Sequence, residues 1–394
     1  MRPLRDLPVV DIVDPAGYAS LICQGWDTYQ EAVNVEVPQS LADMLDAAKT
    51  RAAEMDERGG QAVSIDFGGV SMQVAPYGLK GGITWAVGND DYLIMISRAA
   101  RDWSVSVRYL AAGLWEYGLD YLMERMEGIL CDAGMTPKGD DWRRPSRADW
   151  AFDIYSPAFT KEMRPELVNQ LCAHSSTKQN TELQVSTWGH SCRLETLTIG
   201  KDRSGLQIQV YDKLREIKEA SGKTWMIDLW RREGLNPPDD EIRDMWRLEV
   251  RMGSDFLKDR NIRAYAQLKE FLPALLSEAL MTRRLGQPQG GDSRKRRWPM
   301  HPMWARAYLA TEASAMLPLG RYVTGARNAV SDQLAAQIAG TIRSRMVLDG
   351  MGEFRPGDFD QVMKDVREIL LSDQHGPQKV EKAAERYRYI DEAR

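Results

Sequence analysis

Apolar residues recur along this chain in two rhythms, and the two alternate in the same way twice. From about Gly25 to Thr136 the first round runs. A strand-like stretch around Tyr29 to Val37 precedes SLADMLDAAKTRAAEM, where apolar positions recur at helical spacing behind a capping Ser40 or Asp43. GGQAVSIDFGGVSMQVAPYG and GGITWAVG alternate apolar with small or polar residues between glycine pairs, which predicts a meander of short strands. WSVSVRYLAAGLW predicts another strand. LDYLMERMEGILCDAGM predicts an amphipathic helix stopped at Gly134.

The second round covers about 140–285. RADWAFDIYS reads as a strand and PELVNQLCAH as a short helix. LQVSTW, RLETLTIG and LQIQVYDKLREI supply more strands, the last turning into a helix, and MWRLEVRMG is a final strand. AYAQLKEFLPALLSEAL is a helix that Pro273 must kink or split. Strand groups with helices in both rounds predict an α+β fold: mostly antiparallel sheets, helices on one face, and an internal pseudo-repeat.

These patterns divide the chain into an N-terminal arm (1–24), a first α+β segment (25–139), a second one bearing the chemistry (140–285), a basic linker (286–299) and a helical C-terminal region (300–394). The linker GQPQGGDSRKRRWPM is punctuated by Gly and Pro. Its run Arg294, Lys295, Arg296 and Arg297 suits a solvated hinge or a phosphate-contacting arm.

Composition narrows the function classes. Of 394 residues, 43% are hydrophobic and 28% charged, enough for packed cores and too apolar for wholesale disorder. No apolar run approaches the roughly 20 residues that span a bilayer, and the N-terminus has no long apolar signal region. A cytoplasmic protein without a membrane partner is expected. Cys23, Cys131, Cys172 and Cys192 are scattered with no CxxC pair, so reduced thiols are expected and a structural zinc site is not. The four histidines stand apart, which argues against His-pair metal chemistry. A net charge of -5 weighs mildly against a nucleic-acid binder, although a local basic groove is compatible with it.

Strand parity brings out the candidate chemistry, because alternate residues of a strand share a face. Arg147, Asp149 and Asp153 fall on one face with Ala151 between them, while Ala148, Trp150, Phe152 and Ile154 form the apolar reverse. Gln207, Gln209, Tyr211 and Lys213 oppose Leu206, Ile208 and Val210. Arg247, Glu249 and Arg251 oppose Trp246, Leu248 and Val250. The bland expectation is that these polar faces meet water, as one face of an antiparallel sheet commonly does. Against it stands the sorting of residue types: aspartates on one strand, Tyr-x-Lys on another, Arg-x-Glu-x-Arg on the third. If the strands are neighbours, Asp149, Asp153 and Glu249 converge. Crowded carboxylates select a hard cation, Mg²⁺ or Mn²⁺. Such a centre beside a tyrosine and arginines suits phosphoryl transfer, with Lys213 favouring the phenolate of Tyr211.

RADWAFD, then LETLTIGKDRSGLQIQVYDKLRE, then WRLEVR resemble the replication initiation factor family. That family comprises rolling-circle initiators of plasmids and phages together with conjugative relaxases. The resemblance covers roughly 25–275, its specific motifs lying between 147 and 251. It implies nicking of one DNA strand at an origin, as a hairpin or single strand, through a covalent 5′-phosphotyrosine, with a divalent metal and no histidine pair. Carried over, Tyr211 is the nucleophile, and Asp149, Asp153 and Glu249 are metal-ligand candidates. Lys213, Arg247 and Arg251 are phosphate contacts. Arg147, the turn residues Lys201 and Arg203, and the run Arg294–Arg297 are DNA-contact candidates. A conjugative relaxase shares this chemistry. A non-catalytic DNA-binding or assembly protein is the alternative from another class. The C-terminal helices are open to dimerisation or to recruitment of a host helicase.

Overall fold

The alternating rows form strands, and most strands of both rounds join one sheet. The computed structural model describes residues 17–57, 62–98, 102–173, 185–190, 193–200, 205–237, 241–291, 293–311, 326–350, 356–373, 376–377 and 380. The first round comprises β1 (Ser20–Val33), β2 (Val35–Glu36), α1 (Gln39–Glu57), β3 (Ser64–Phe67), β4 (Val70–Val74), β5 (Trp85–Gly88), β6 (Tyr92–Ile96), β7 (Val105–Leu110), α2 (Ala111–Tyr117) and α3 (Leu119–Asp132). The short β8 (Thr136–Pro137) leads to the second round: β9 (Arg143–Tyr155), α4 (Pro157–Glu162), β10 (Leu171–Ala173), β11 (Val185–His190), β12 (Arg193–Gly200), β13 (Leu206–Asp212), α5 (Lys213–Glu216), α6 (Trp225–Arg232), β14 (Met245–Gly253), α7 (Ser254–Asp259) and α8 (Tyr265–Thr282). β15 (Arg283–Leu285), α9 (Pro302–Leu309), α10 (Ala326–Leu348) and α11 (Pro356–Ser372) follow.

The sheet has eleven strands in the order β11-β12-β13-β14-β9-β1-β7-β6-β5-β4-β3, every neighbouring pair antiparallel. Its order carries the pseudo-repeat. The two long strands β1 and β9 pair at the centre. Each half then places its last strand next to its first (β7 beside β1, β14 beside β9) and steps back through the sequence toward the edge. β2 pairs with β8, and β10 with β15, in small separate ladders.

One face of the sheet is packed. Trp150, Phe152, Trp246, Leu248, Val250, Ile208, Val210, Leu197 and Ile199 are all fully buried in one core cluster with Leu268, Leu272, Leu276 and Leu280 of α8. Burying a large apolar side chain contributes roughly 1.5–3 kcal/mol, so these rows hold the strands in register. Sliding one strand by a residue would expose its whole apolar set.

Three elements differ from the pattern-based expectation, and a fourth, the proline-bearing helix, is not split. β1 starts at Ser20, not near Tyr29, and carries register shifts at Leu21/Cys23, Trp26/Thr28 and Gln30/Glu31 that break its alternation. WSVSVRYLAAGLW is a strand only to Leu110 and then turns directly into α2. PELVNQ forms a tight 3₁₀ turn, after which Leu171–Ala173 is a strand. α8 is one helix from Tyr265 to Thr282 with Pro273 inside it.

The chain forms two compact units: residues 1–222 with 233–320, which hold the sheet, and residues 223–232 with 321–394, which hold α6, α10 and α11. Among the described residues, no helix is long and apolar enough to cross a membrane.

Candidate active site

The second face of the sheet carries the charged rows, and the register places them side by side. Opposite residues of an antiparallel pair share a face. One cross-strand row runs Tyr211, Arg247, Asp153, Cys23 across β13, β14, β9 and β1. The next runs Gln209, Glu249, Ala151, Gly25, and a third Gln207, Arg251, Asp149, Thr28. The face expected to meet water is largely closed: Asp149, Asp153, Glu249 and Arg247 are all buried. Part of the cover is Trp115 of α2. A Cβ on Gly25 would meet its ring at 3.3 Å, so the absence of a side chain there admits the indole. The same ring lies 5.9 Å from the Arg247 guanidinium.

Each carboxylate is held by an arginine. Arg247 donates from two nitrogens to Asp153, at 2.6 and 2.7 Å, and from a third to Asp27. Arg251 donates to Glu249 at 2.7 Å and to Gln207 at 3.3 Å. Arg147 donates to both oxygens of Asp149, at 3.0 and 2.8 Å. The second Glu249 oxygen accepts the Tyr211 hydroxyl at 3.1 Å. Every oxygen of Asp149, Asp153 and Glu249 therefore has an arginine or tyrosine partner. Among the described residues, no three His, Cys, Asp or Glu side chains converge as a metal-ligand cluster. A divalent cation would have to displace the bidentate Arg247 from Asp153, Arg147 from Asp149, or Arg251 and the Tyr211 hydroxyl from Glu249, so this arrangement does not fit one.

Lys213 departs from the strand. β13 ends at Asp212, whose side chain accepts from the Arg215 backbone N–H at 3.0 Å and so caps α5. Lys213 occupies the first turn of that helix, buried, with its ammonium 2.6 Å from Glu216 and 5.5 Å from the Tyr211 ring centre. Asp212 itself turns to Arg193 at 3.2 Å.

The electrostatics follow from burial. Desolvation, then the neighbouring Glu249 charge, push the Tyr211 hydroxyl well above its ordinary value, and Arg247 only partly opposes them. The resting tyrosine is thus a phenol, and Lys213 is not what governs its ionisation. Burial and the nearby Arg247 charge lower Lys213, making its proton easier to give up. Burial pushes the Asp149 carboxyl up to about 7; Glu249 adds to this, and Arg147 works against it.

The basic candidates divide. Arg147 and Arg251 keep 33% and 28% of their side chains exposed and flank the buried core of the site. Lys201 and Arg203 lie outside the described residues. Arg294 is exposed, and Lys295–Arg297 form a 3₁₀ turn whose Lys295 carbonyl accepts from the Cys172 thiol at 3.0 Å, beside β10 rather than on the Tyr211 face. The Arg296 side chain is outside the described set. Strand parity missed Asp27, Trp115 and Glu216. Asp27 sits at the β1 register shift, so no count of alternation assigns its face. Glu216 is three residues after Lys213, a helical spacing that a strand reading does not use.

No family model matches the chain, and no curated protein sequence matches it. Among solved structures, the rolling circle replication initiator protein from Geobacillus stearothermophilus is similar at 14% identity and a TM-score of 0.40, over 75% of this chain and 98% of that chain. That likeness is distant, and the functional reading rests on the site's own geometry and on the motifs that form it.

Proposed function

We propose that the protein is a DNA strand transferase that initiates rolling-circle replication, with Tyr211 as nucleophile. The observation that carries this reading is the Tyr211–Glu249 hydrogen bond, set on a face whose neighbouring positions are arginines. Freeing a phenolate from an ordinary tyrosine at pH 7 costs about 4 kcal/mol, and more here because burial raises the value further. A general base that takes the proton during attack avoids that cost and is worth roughly 10²–10⁴ in rate. The hydrogen bond from the Tyr211 hydroxyl to Glu249 supports Glu249 as that base.

In the proposed step the Tyr211 oxygen attacks the phosphorus of one phosphodiester and its proton passes to Glu249. The bond to the 3′ oxygen breaks, leaving a 5′-phosphotyrosine and a 3′ hydroxyl able to prime synthesis. Lys213 supplies the proton that the leaving 3′ oxygen needs, as its lowered pKa favours. Arg247 and Arg251 neutralise charge growing on the non-bridging oxygens, a role for which planar guanidinium groups are suited. Religation reverses each transfer. No step runs through a divalent metal.

A conjugative relaxase would use the same chemistry. A non-catalytic DNA-binding role is favoured by one specific observation, that each site arginine is already engaged by a carboxylate. The two separate on a denaturing gel. Labelled single-stranded DNA spanning the origin should give a protein-linked band with the native protein. DNA binding without any such band, on every strand spanning the origin, would select the non-catalytic role.

A further inference from the structure

The first cross-strand row extends past Tyr211 to the sheet edge, where Trp188 of β11 stands opposite Thr196 of β12, and Thr196 opposite Tyr211. Trp188 thus shares the face of the candidate nucleophile, two strands away, or about 10 Å at the usual strand spacing. It is 72% exposed, in a strand whose outer edge has no partner among the described residues. An indole open to solvent to this extent gains nothing for the core, and most of the other large exposed apolar side chains lie on helices.

Two features fix its placement. The β11–β12 register shifts directly after Trp188, and a bulge of this kind re-aims the adjacent side chain. The next residue is Gly189, where a Cβ would come within 2.1 Å of the Arg193 carbonyl oxygen, so the bulge requires glycine. Between the indole and the arginines the face presents Thr196, Thr198 and Gln209, the last two hydrogen-bonded at 3.3 Å. The face therefore offers a flat aromatic surface, then neutral hydrogen-bonding groups, then the partly exposed Arg251 and Arg147 two and three rows away, Arg247 in the first row being buried. An unpaired base, a sugar-phosphate backbone and a reacting phosphate present that order of chemistry.

We infer that Trp188 is a base-stacking residue for single-stranded DNA, holding an unpaired base beside the nucleotide whose phosphate faces Tyr211. This deepens the strand-transferase reading and rests on it for the direction of the strand. Stacking on an aromatic side chain is indifferent to base identity and to phosphate charge.

The test is fluorescence anisotropy with a labelled oligo-dT, using full-length Tyr211→Phe protein so that no cleavage intervenes. Adding Trp188→Ala should weaken binding about 5- to 100-fold with the same salt slope, since no phosphate contact is lost. Trp188→Phe, which keeps an aromatic face, should recover most of the affinity. Unchanged affinity in Trp188→Ala, or no binding by the parent, overturns the inference. Unchanged affinity while the native protein still forms its covalent product removes Trp188 and leaves the strand-transferase reading standing. Lost affinity with no covalent product from the native protein does the reverse. Conversion of an oligomer to monomers by Trp188→Ala, in sedimentation, would assign the indole to an interface between copies of this chain and also overturn the inference.

Discussion

Replacing Arg247 by methionine should destabilise the sheet unit far more than any other single change at the site. Arg247 is fully buried, with Asp153 fully buried beside it and Asp27 nearly so. Methionine fills much of the same space and removes the guanidinium that bonds both carboxylates. Stripping one partner from a buried ion pair costs roughly 3–5 kcal/mol, because the remaining charge has lost its compensation. For a unit of roughly 300 residues, the entropy of unfolding near the midpoint is about 0.6 kcal/mol/K. The melting temperature should therefore fall by about 5–8 °C. Asp153→Asn should cost less, since Arg247 keeps Asp27 and one hydrogen bond. The double variant should be more stable than the sum of the two single losses by about 1–3 kcal/mol, because the asparagine removes one of the two stranded charges, the more buried one. Lowering the pH should rescue Arg247→Met selectively. An unpaired buried carboxylate has its pKa raised, so stability is present while it is protonated and is lost as pH rises. Thermal melts of the four proteins at pH 5.5 and 7.5 make the cycle. Strict additivity, or an Arg247→Met protein as stable as the parent, would refute the ion-pair reasoning.

Glu249→Gln should slow covalent adduct formation by about 10²–10³, through loss of the base, while leaving anisotropy-measured DNA binding within about threefold; equal nicking rates would remove Glu249 from that role. Asp149, pushed up to about 7 in the folded chain against an ordinary value of 3.8, binds its proton more tightly folded than unfolded. Its contribution to stability is therefore full below about pH 4 and declines as pH rises toward 7. Asp149→Asn should flatten that part of the stability–pH curve, and an unchanged slope would contradict the assignment. Millimolar Mn²⁺ should leave the melting temperature unmoved, since a preformed site would stabilise the folded state by mass action. A rise of several degrees that Glu249→Gln abolishes would establish a shared carboxylate metal site instead.

Strand parity is enough to place Tyr211, Arg247, Asp153, Glu249 and Arg251 on one face, because β13, β14 and β9 pair without a bulge between them. Its limit is that it reports shared faces and not partners. Whether a cation between carboxylates is a metal or an arginine depends on side-chain reach. Here Arg247 reaches across to Asp153 and Arg251 reaches along β14 to Glu249, so the same strands that supply the acids supply their counter-charges. β1 was hidden for a different reason. Its three register shifts give a burial pattern closer to period three than two over Ser20–Tyr29, so neither strand nor helix spacing stands out. The turn from β7 into α2 was hidden because Leu110, at the junction, offers no capping side chain to mark a helix start. The pseudo-repeat was visible as a repeated element order. Its meeting point, β1 against β9, is a long-range pairing that no local pattern encodes.

In the proposed reaction Tyr211 becomes bonded to DNA. The most direct measurement is peptide mapping by mass spectrometry after the native protein has reacted with origin-spanning single-stranded DNA and nuclease has trimmed the adduct. A nucleotide mass is expected on the peptide containing Tyr211, with no adduct from Tyr211→Phe. A nucleotide on any other residue, or an adduct that survives Tyr211→Phe, would contradict it.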